Sequence, residues 1–294
     1  MTAVLDRPAA WALLGALGIS MSAVLVRLAD QPPATTAFFR CLYALPVLAA
    51  IAWFEDRRHG RLERRTVLLA ALAGVFFAID LETWNHGIEG LGAGLATVVS
   101  NLQVVVVALF AWVVLGERPS NRLLAAIPIA VLGVVFISGV IGKAAYGERP
   151  LFGVVMSLLT ALSYGAFLLV LRSANRGQRR PGGPLLVATA ACAVTLLVTG
   201  VALDELEFVP VWPAHGWTLL QALSAQVLGY FAVSRSLPRL PAAMTSLLLL
   251  AQPMLAMLFA AAIVDERPSA FQLFGVLLVL AGILVGVTRL RRSA

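Results

Sequence analysis

One stretch of this chain occurs twice. Gly94–Ser120 reads GLATVVSNLQVVVVALFAWVVLGERPS, and Ala243–Ser269, reached by a shift of 149 residues without a gap, reads AMTSLLLLAQPMLAMLFAAAIVDERPS. Gln103 falls on Gln252, Leu109-Phe110-Ala111 on Leu258-Phe259-Ala260, and Glu-Arg-Pro-Ser closes both runs, at 117–120 and 266–269. Beyond that exit, Leu124 falls on Leu273 and Gly133 on Gly282. Apolar runs align by accident easily. Four identical residues at the same exit, in register with a Gln, mark an internal repeat, and a repeat constrains every other reading of a chain. The expected units are residues 1–142 and 143–294.

The solvent follows from what each unit is made of. Hydrophobic residues make up 60% of the 294 and charged residues 13%, with a mean hydropathy of +0.91; soluble domains carry roughly 25% charge. Apolar runs of about 17–25 residues are the length that crosses a bilayer as a helix. Ten are legible, at 9–29, 35–54, 66–86, 93–115, 122–141, 151–171, 184–203, 217–235, 242–264 and 271–288. Arg7 ahead of the first run imitates a signal peptide, but that run is too long, lacks a small-residue cleavage site and leads straight into further spans. A retained helix is expected. Cys41 and Cys192 lie inside apolar runs without metal-type spacing, so no disulfide framework, metal site or cofactor is expected.

The net charge of +7 resides in short loops between the runs, which positive-inside topology explains without nucleic acid. With the N-terminus in the cytoplasm, 17 of the 22 Lys and Arg residues fall inside, Arg57, Arg58, Arg61, Arg64, Arg65, Arg172, Arg176 and Arg180 among them. Only Lys143, Arg149 and Arg267 fall outside, while Arg27 and Arg40 lie near or within spans. Both termini are then cytoplasmic, in a multi-pass protein of the bacterial inner membrane. Five spans per unit is an odd number, so the first Glu-Arg-Pro-Ser turn lies inside and the second outside. The expected fold is an all-α polytopic membrane protein of ten transmembrane helices, arranged as two inverted five-helix repeats. Inverted repeats are a signature of secondary transporters, with a substrate site near the midplane between the halves. In the turns themselves, Pro stops one helix and Ser120 or Ser269 caps the next, Ser269 with Gln272 at capping-box spacing. Glu and Arg side by side there can also pair; the functional alternative is a gate latch on each side.

Ionisable residues inside spans are costly and point to function. Arg27 and Arg40, with Asp80, Glu82 and His86 of the third span, would sit at similar depth in the outer half. They are read as a proton or charge network, or alternatively as a network that only fixes helix packing. Asp80, Thr83, Trp84 and Gly87 share one helical face, and Glu82 and His86 another. His86 reads as an interfacial histidine or a relay, and Trp84 as part of the aromatic belt or of a cavity wall. Further polar faces carry Thr97, Ser100, Asn101 and Gln103 in the fourth span, and Ser157, Thr160, Ser163 and Tyr164 in the sixth. Gln221, Ser224, Gln226 and Tyr230 do so in the eighth, and Thr245 and Gln252 in the ninth. The expected substrate cavity is Trp84, Asn101, Gln103, Tyr164, Gln226, Tyr230 and Gln252, with Pro253 breaking the ninth helix beside it. Gly275, Gly282 and Gly286 offer a helix-packing face or a homodimer face.

Ten spans, two inverted units, the LGERPS-type exit, Arg40 in AFFRCLYALP, Gln103 and Gln252-Pro253 together resemble the EamA family of the drug/metabolite transporter superfamily. The resemblance covers essentially the whole chain. It implies a cytoplasmic-membrane carrier with a central cavity formed by the first four helices of each repeat and braced by the fifth. Members export amino acids, other metabolites or drugs. A small-molecule substrate, amino acids foremost, is expected, with a multidrug or cationic-compound exporter as the alternative. An enzyme acting on lipid-linked substrates is disfavoured, because Asp80 and Glu82, two apart on a helix, point in different directions and no His/Cys cluster or phosphate loop appears.

Overall fold

The computed structural model describes residues 8–103, 105–106, 121–137, 149–177, 180–236, 239 and 251–287. Among these there are helices and no strands. Ten helices follow in order: α1 (Pro8–Ala29), α2 (Pro33–His59), α3 (Arg64–Leu91), α4 (Ala93–Ser100), α5 (Asn121–Ile137), α6 (Pro150–Asn175), α7 (Gly182–Ala202), α8 (214–236), α9 (Ala251–Ile263) and α10 (Ala270–Val287). Five of them, α1, α2, α3, α6 and α7, are long and apolar enough to cross a bilayer. Helix is what an apolar chain without water must adopt, because it satisfies every backbone polar group within the segment.

The punctuation is local chemistry. Pro8, Pro33 and Pro150 open helices, where the missing N–H costs nothing. Asp30, Asp204 and Asp265 follow α1, α7 and α9 with φ of 47°, 56° and 52°, a left-handed conformation that short polar side chains tolerate. The capping box is formed: Ser269 N–H donates to Gln272 Oε1 at 3.0 Å, and Gln272 N–H to Ser269 Oγ at 3.3 Å. Arg267, by contrast, pairs with Asp265 at 2.8 Å rather than with its neighbour Glu266, which is buried elsewhere. The turn at 117–120 lies outside the described residues.

The bundle is apolar outside and holds polar side chains within a largely apolar interior. Leu68, Val198, Leu228 and Leu277 are among many exposed aliphatic side chains, whereas Asn101, Gln103, Gln226 and Gln252 are buried. Packing pairs fall into sets that exchange on moving five places along the helix order. The α3–α6 pair matches α8–α1, α3–α7 matches α8–α2, and α4–α6 matches α9–α1, while α2–α7, α4–α9 and α5–α10 map onto themselves. Small residues set the closest crossings, as helices without a hydrophobic drive between them require. At α3–α6, a Cβ on Gly90 would meet Gly153 Cα at 2.9 Å; at α5–α10, one on Gly275 would meet Gly133 O at 2.6 Å. One glycine of the expected packing or dimer face is therefore used within the chain. Cys41 and Cys192 face each other across α2 and α7 as free thiols, Sγ to Sγ 3.5 Å.

One end of the bundle, the basic end, carries Arg180 bound to Asp56 at 3.3 Å and to the carbonyls of Gly60 and Arg61. There Glu55 accepts the N–H groups of Gly182 and Gly183 at 3.2 and 3.0 Å, capping α7. The opposite, acidic end carries the loop after α7 with Asp204, Glu205 and Glu207. The α8 helix is not uniform: Ala214–Gln221 is α, Ala222–Gly229 is π-helical, and Tyr230–Ser236 is α again. Such i→i+5 turns are rare and frequent at functional sites.

Candidate functional site

A cavity of about 40 Å³ lies where α1, α2, α3, α4, α6, α8 and α9 converge. Trp84, Asn101, Gln103, Tyr164, Tyr230 and Gln252 line it, six of the seven residues expected from the sequence, together with Arg40 and Asp80. Ser20, Thr97, Ser100 and Thr160 complete the polar wall. Trp84 is buried in that wall, 6.0 Å from the Arg40 guanidinium, and so does not belong to an interfacial belt.

Gln226 differs from the expectation, and the π-turn gives the reason. The wider turn sets it behind the wall, fully buried, where its Oε1 accepts from Arg40 Nε at 3.2 Å and its Nε2 donates to Thr189 Oγ1 at 3.0 Å. It is a holder of Arg40 rather than a lining residue. Arg40, 2% exposed, also lies 5.8–6.0 Å from the ring centres of Phe77, Trp84 and Tyr230. Those faces stabilise a desolvated cation. Among the described residues no ion pair joins Arg40 to Asp80, so the two groups face the cavity without direct contact.

The aromatic residues form a layer at the basic-end side of Asp80. Phe77 and Phe167 stack with centres 4.3 Å apart, and Tyr230 meets them edge-on at 5.0 and 5.8 Å. Phe77 is one turn from Asp80 and Phe167 one turn from Tyr164, and α3 and α6 run in opposite directions, so both rings reach the same level.

Ser100 Oγ, Asn101 Oδ1 and Gln103 Oε1 are buried without a hydrogen-bond partner among the described residues, while Tyr164 Oη lies beside Tyr230 and Gln252. Buried polar atoms are nearly always paired, and each exception asks for a reason. Here three exceptions belong to the wall of one cavity.

The expected single charge network does not form, because crossing geometry splits its members. Arg27 lies 3.9 Å from Glu266. Glu266 accepts the N–H groups of Ala93 and Gly94 at 2.8 and 3.1 Å, a carboxylate placed on the positive end of α4. Gly92, with φ of 94°, has no side chain to cap that helix, so the acid comes from the exit of α9. Glu82 and His86 sit 3.5 Å apart on the other face of α3, away from the cavity. Pro253 lies in the first turn of the described part of α9; the Leu249 carbonyl and Thr245 lie outside the described residues, as does Val104, the counterpart of Pro253. Sequence reasoning missed the role of Glu266, although its repeated position was visible, and it did not connect Glu205 to the third span.

The model of the EamA-like transporter family matches residues 7–139 and again residues 151–288. A curated relative from Escherichia coli (strain K12), described as a probable amino-acid metabolite efflux pump, is 25% identical over 285 residues, covering 93% of this chain and 92% of its own. A solved crystal structure superposes with a TM-score of 0.63 over 97% of this chain and 98% of its own, at 16% identity, a likeness of fold alone.

Proposed function

The chain belongs to the EamA-like transporter family, and from that premise we propose that it is a secondary transporter exporting small zwitterionic metabolites, amino acids foremost, by alternating access. The observation that carries the reading is one buried cavity holding Arg40, Asp80 and the unpartnered Ser100, Asn101 and Gln103 oxygens. Gln226 engages only Arg40 Nε, which leaves the two terminal nitrogens for bidentate contact with a substrate carboxylate. Asp80 offers the counter-charge for an ammonium group. Trp84 and Tyr164 supply apolar walls, and the amides of Gln103 and Gln252 supply orientation. The E. coli relative's described substrate class supports the choice of amino acids.

Ten membrane-spanning helices in two oppositely directed units, 1–142 and 143–294, with both termini cytoplasmic, give this cavity its two exits. The exchange pattern of helix pairs and the double family match support that reading. A cavity of about 40 Å³ has room for roughly three waters at 10–15 Å³ each, not for an amino acid. Substrate therefore enters as helices separate, from the cytoplasmic, basic end. The Glu266 cap ties α9 to α4 at the opposite end and opens when the cavity faces outward.

A lipophilic cation is the second reading, favoured by Asp80 beside Trp84, Tyr164 and Tyr230 and opposed by Arg40. Uptake of labelled amino acids into proteoliposomes preloaded with unlabelled ones tests both. Saturable, competed exchange that Arg40→Ala abolishes is the expected result. No exchange across the panel, with lipophilic cations competing for the protein instead, would overturn the amino-acid assignment.

A further inference from the structure

Outside the cavity, the acidic end of the bundle brings together three groups that cysteine spacing gives no reason to look for. Glu82 and His86, four residues apart on one face of α3, meet Glu205 of the loop after α7, with one ligand atom from each lying within 4.8 Å of the others. We propose that these three side chains bind a divalent transition-metal ion, with Zn²⁺ as the best fit.

The first ground is an unmet need. Both Glu82 carboxylate oxygens are shielded from solvent, and among the described residues their one partner is the long contact from His86. The approaching His86 Nε2 is 3.5 Å away, at the outer limit of a hydrogen bond. That separation matches the edge of a tetrahedral zinc shell, roughly 3.3 Å at ordinary Zn–N and Zn–O lengths.

The second ground is independent and concerns the other ring nitrogen. His86 Nδ1 lies 3.4 Å from Glu89 Oε2, and Glu89 in turn lies 3.7 Å from Arg149. A metal-binding histidine commonly donates its free N–H to a carboxylate, which fixes the ring and its tautomer. Nδ1–H on Glu89 leaves the Nε2 lone pair directed to the metal.

The third ligand is held in place before any ion arrives. Glu205 N–H donates to the Gly200 carbonyl at 2.9 Å. Thr35 of α2 donates to the Glu205 carbonyl at 3.5 Å and accepts the Glu207 N–H at 2.9 Å. A bound ion would thus join α3 to the α7–α8 loop beside an open cleft of about 530 Å³ lined by His86, Glu89, Arg149 and Glu205. Imidazole with carboxylates suits Zn²⁺ better than Mg²⁺ or Ca²⁺, which prefer all-oxygen shells.

The test is Zn²⁺ titration of the tag-free full-length protein in detergent against a chromogenic chelator, with no substrate present, so that the result is independent of transport. One Zn²⁺ per chain is expected, weakened roughly 100-fold or more by His86→Ala and by Glu205→Gln, and roughly tenfold by Glu89→Gln. Glu205→Gln lies in an exposed loop and carries the test if His86→Ala fails to fold. No stoichiometric binding, or an affinity that Glu205→Gln leaves unchanged in protein eluting as wild type on size exclusion, overturns the proposal. In that case Glu82 and His86 are an ion pair only.

Discussion

Two faces of α3 carry carboxylates two residues apart, and they end in opposite surroundings. Asp80 faces the central cavity with Arg40, Trp84 and Tyr164, deep among helices. Glu82, about 20° from pointing the opposite way, meets His86 and an acidic loop. The edge of the Asp80 face packs as well: Gly87, Gly90 and Thr83 lie against α6 through Ser157, Gly153 and Thr160. A cavity wall, an ion pair and a packing surface thus divide one helix between them. The lesson is that an ionisable residue in a span is informative only once its face is assigned, because a rotation of 200° between i and i+2 separates two chemistries.

The comparison can be broken most directly at Asp80. Asp80→Asn should lower amino-acid exchange by about 100-fold or more, since it removes the buried counter-charge for an ammonium group, while Zn²⁺ affinity stays at its wild-type value. Parallel flux and titration measurements on one preparation check both halves, and a joint loss would show that the two faces are not separate.

Next in size is the packing face. Gly153→Val forces a side chain into Leu91 and Gly90, which a Cβ already meets at 2.7 Å. Overpacking of this kind costs about 1–3 kcal/mol, to be read as a lower Tm in detergent. An unchanged Tm would mean that the α3–α6 crossing is looser than its glycines imply.

Arg40→Lys should keep the charge and lose the planar fork, raising the substrate concentration for half-maximal exchange about tenfold in counterflow assays. A smaller change would argue that Arg40 acts on the substrate as a point charge. Least of all, Thr83→Ala deletes the 2.9 Å contact with Thr160, worth about 0.6 kcal/mol between membrane helices. It should shift the unfolding midpoint slightly and leave the Zn²⁺ titration unaltered.

Much of this was legible from residues alone. Run lengths located the helices, since α1, α6 and α7 begin and end within a few residues of the apolar boundaries. The polar stripes at Trp84, Asn101, Gln103, Tyr164, Tyr230 and Gln252 do converge on one cavity. Gln226 was misplaced because a π-turn changes the angular position of each residue, and periodicity counted at 3.6 residues per turn cannot register it. Glu266 was read as one half of a local pair because the N–H groups that it caps are 172 and 173 residues away.

Helix identity, the apolar exterior and the division of α3 into faces were determined by the sequence, since each depends on backbone hydrogen bonding and side-chain period within a single segment. Partner choice was decided only by the tertiary structure. Arg40 goes to Gln226 and Arg27 to Glu266 because close glycine contacts and a π-turn set which distant groups share a level in the bundle. No local pattern encodes that level, because it arises where helices cross.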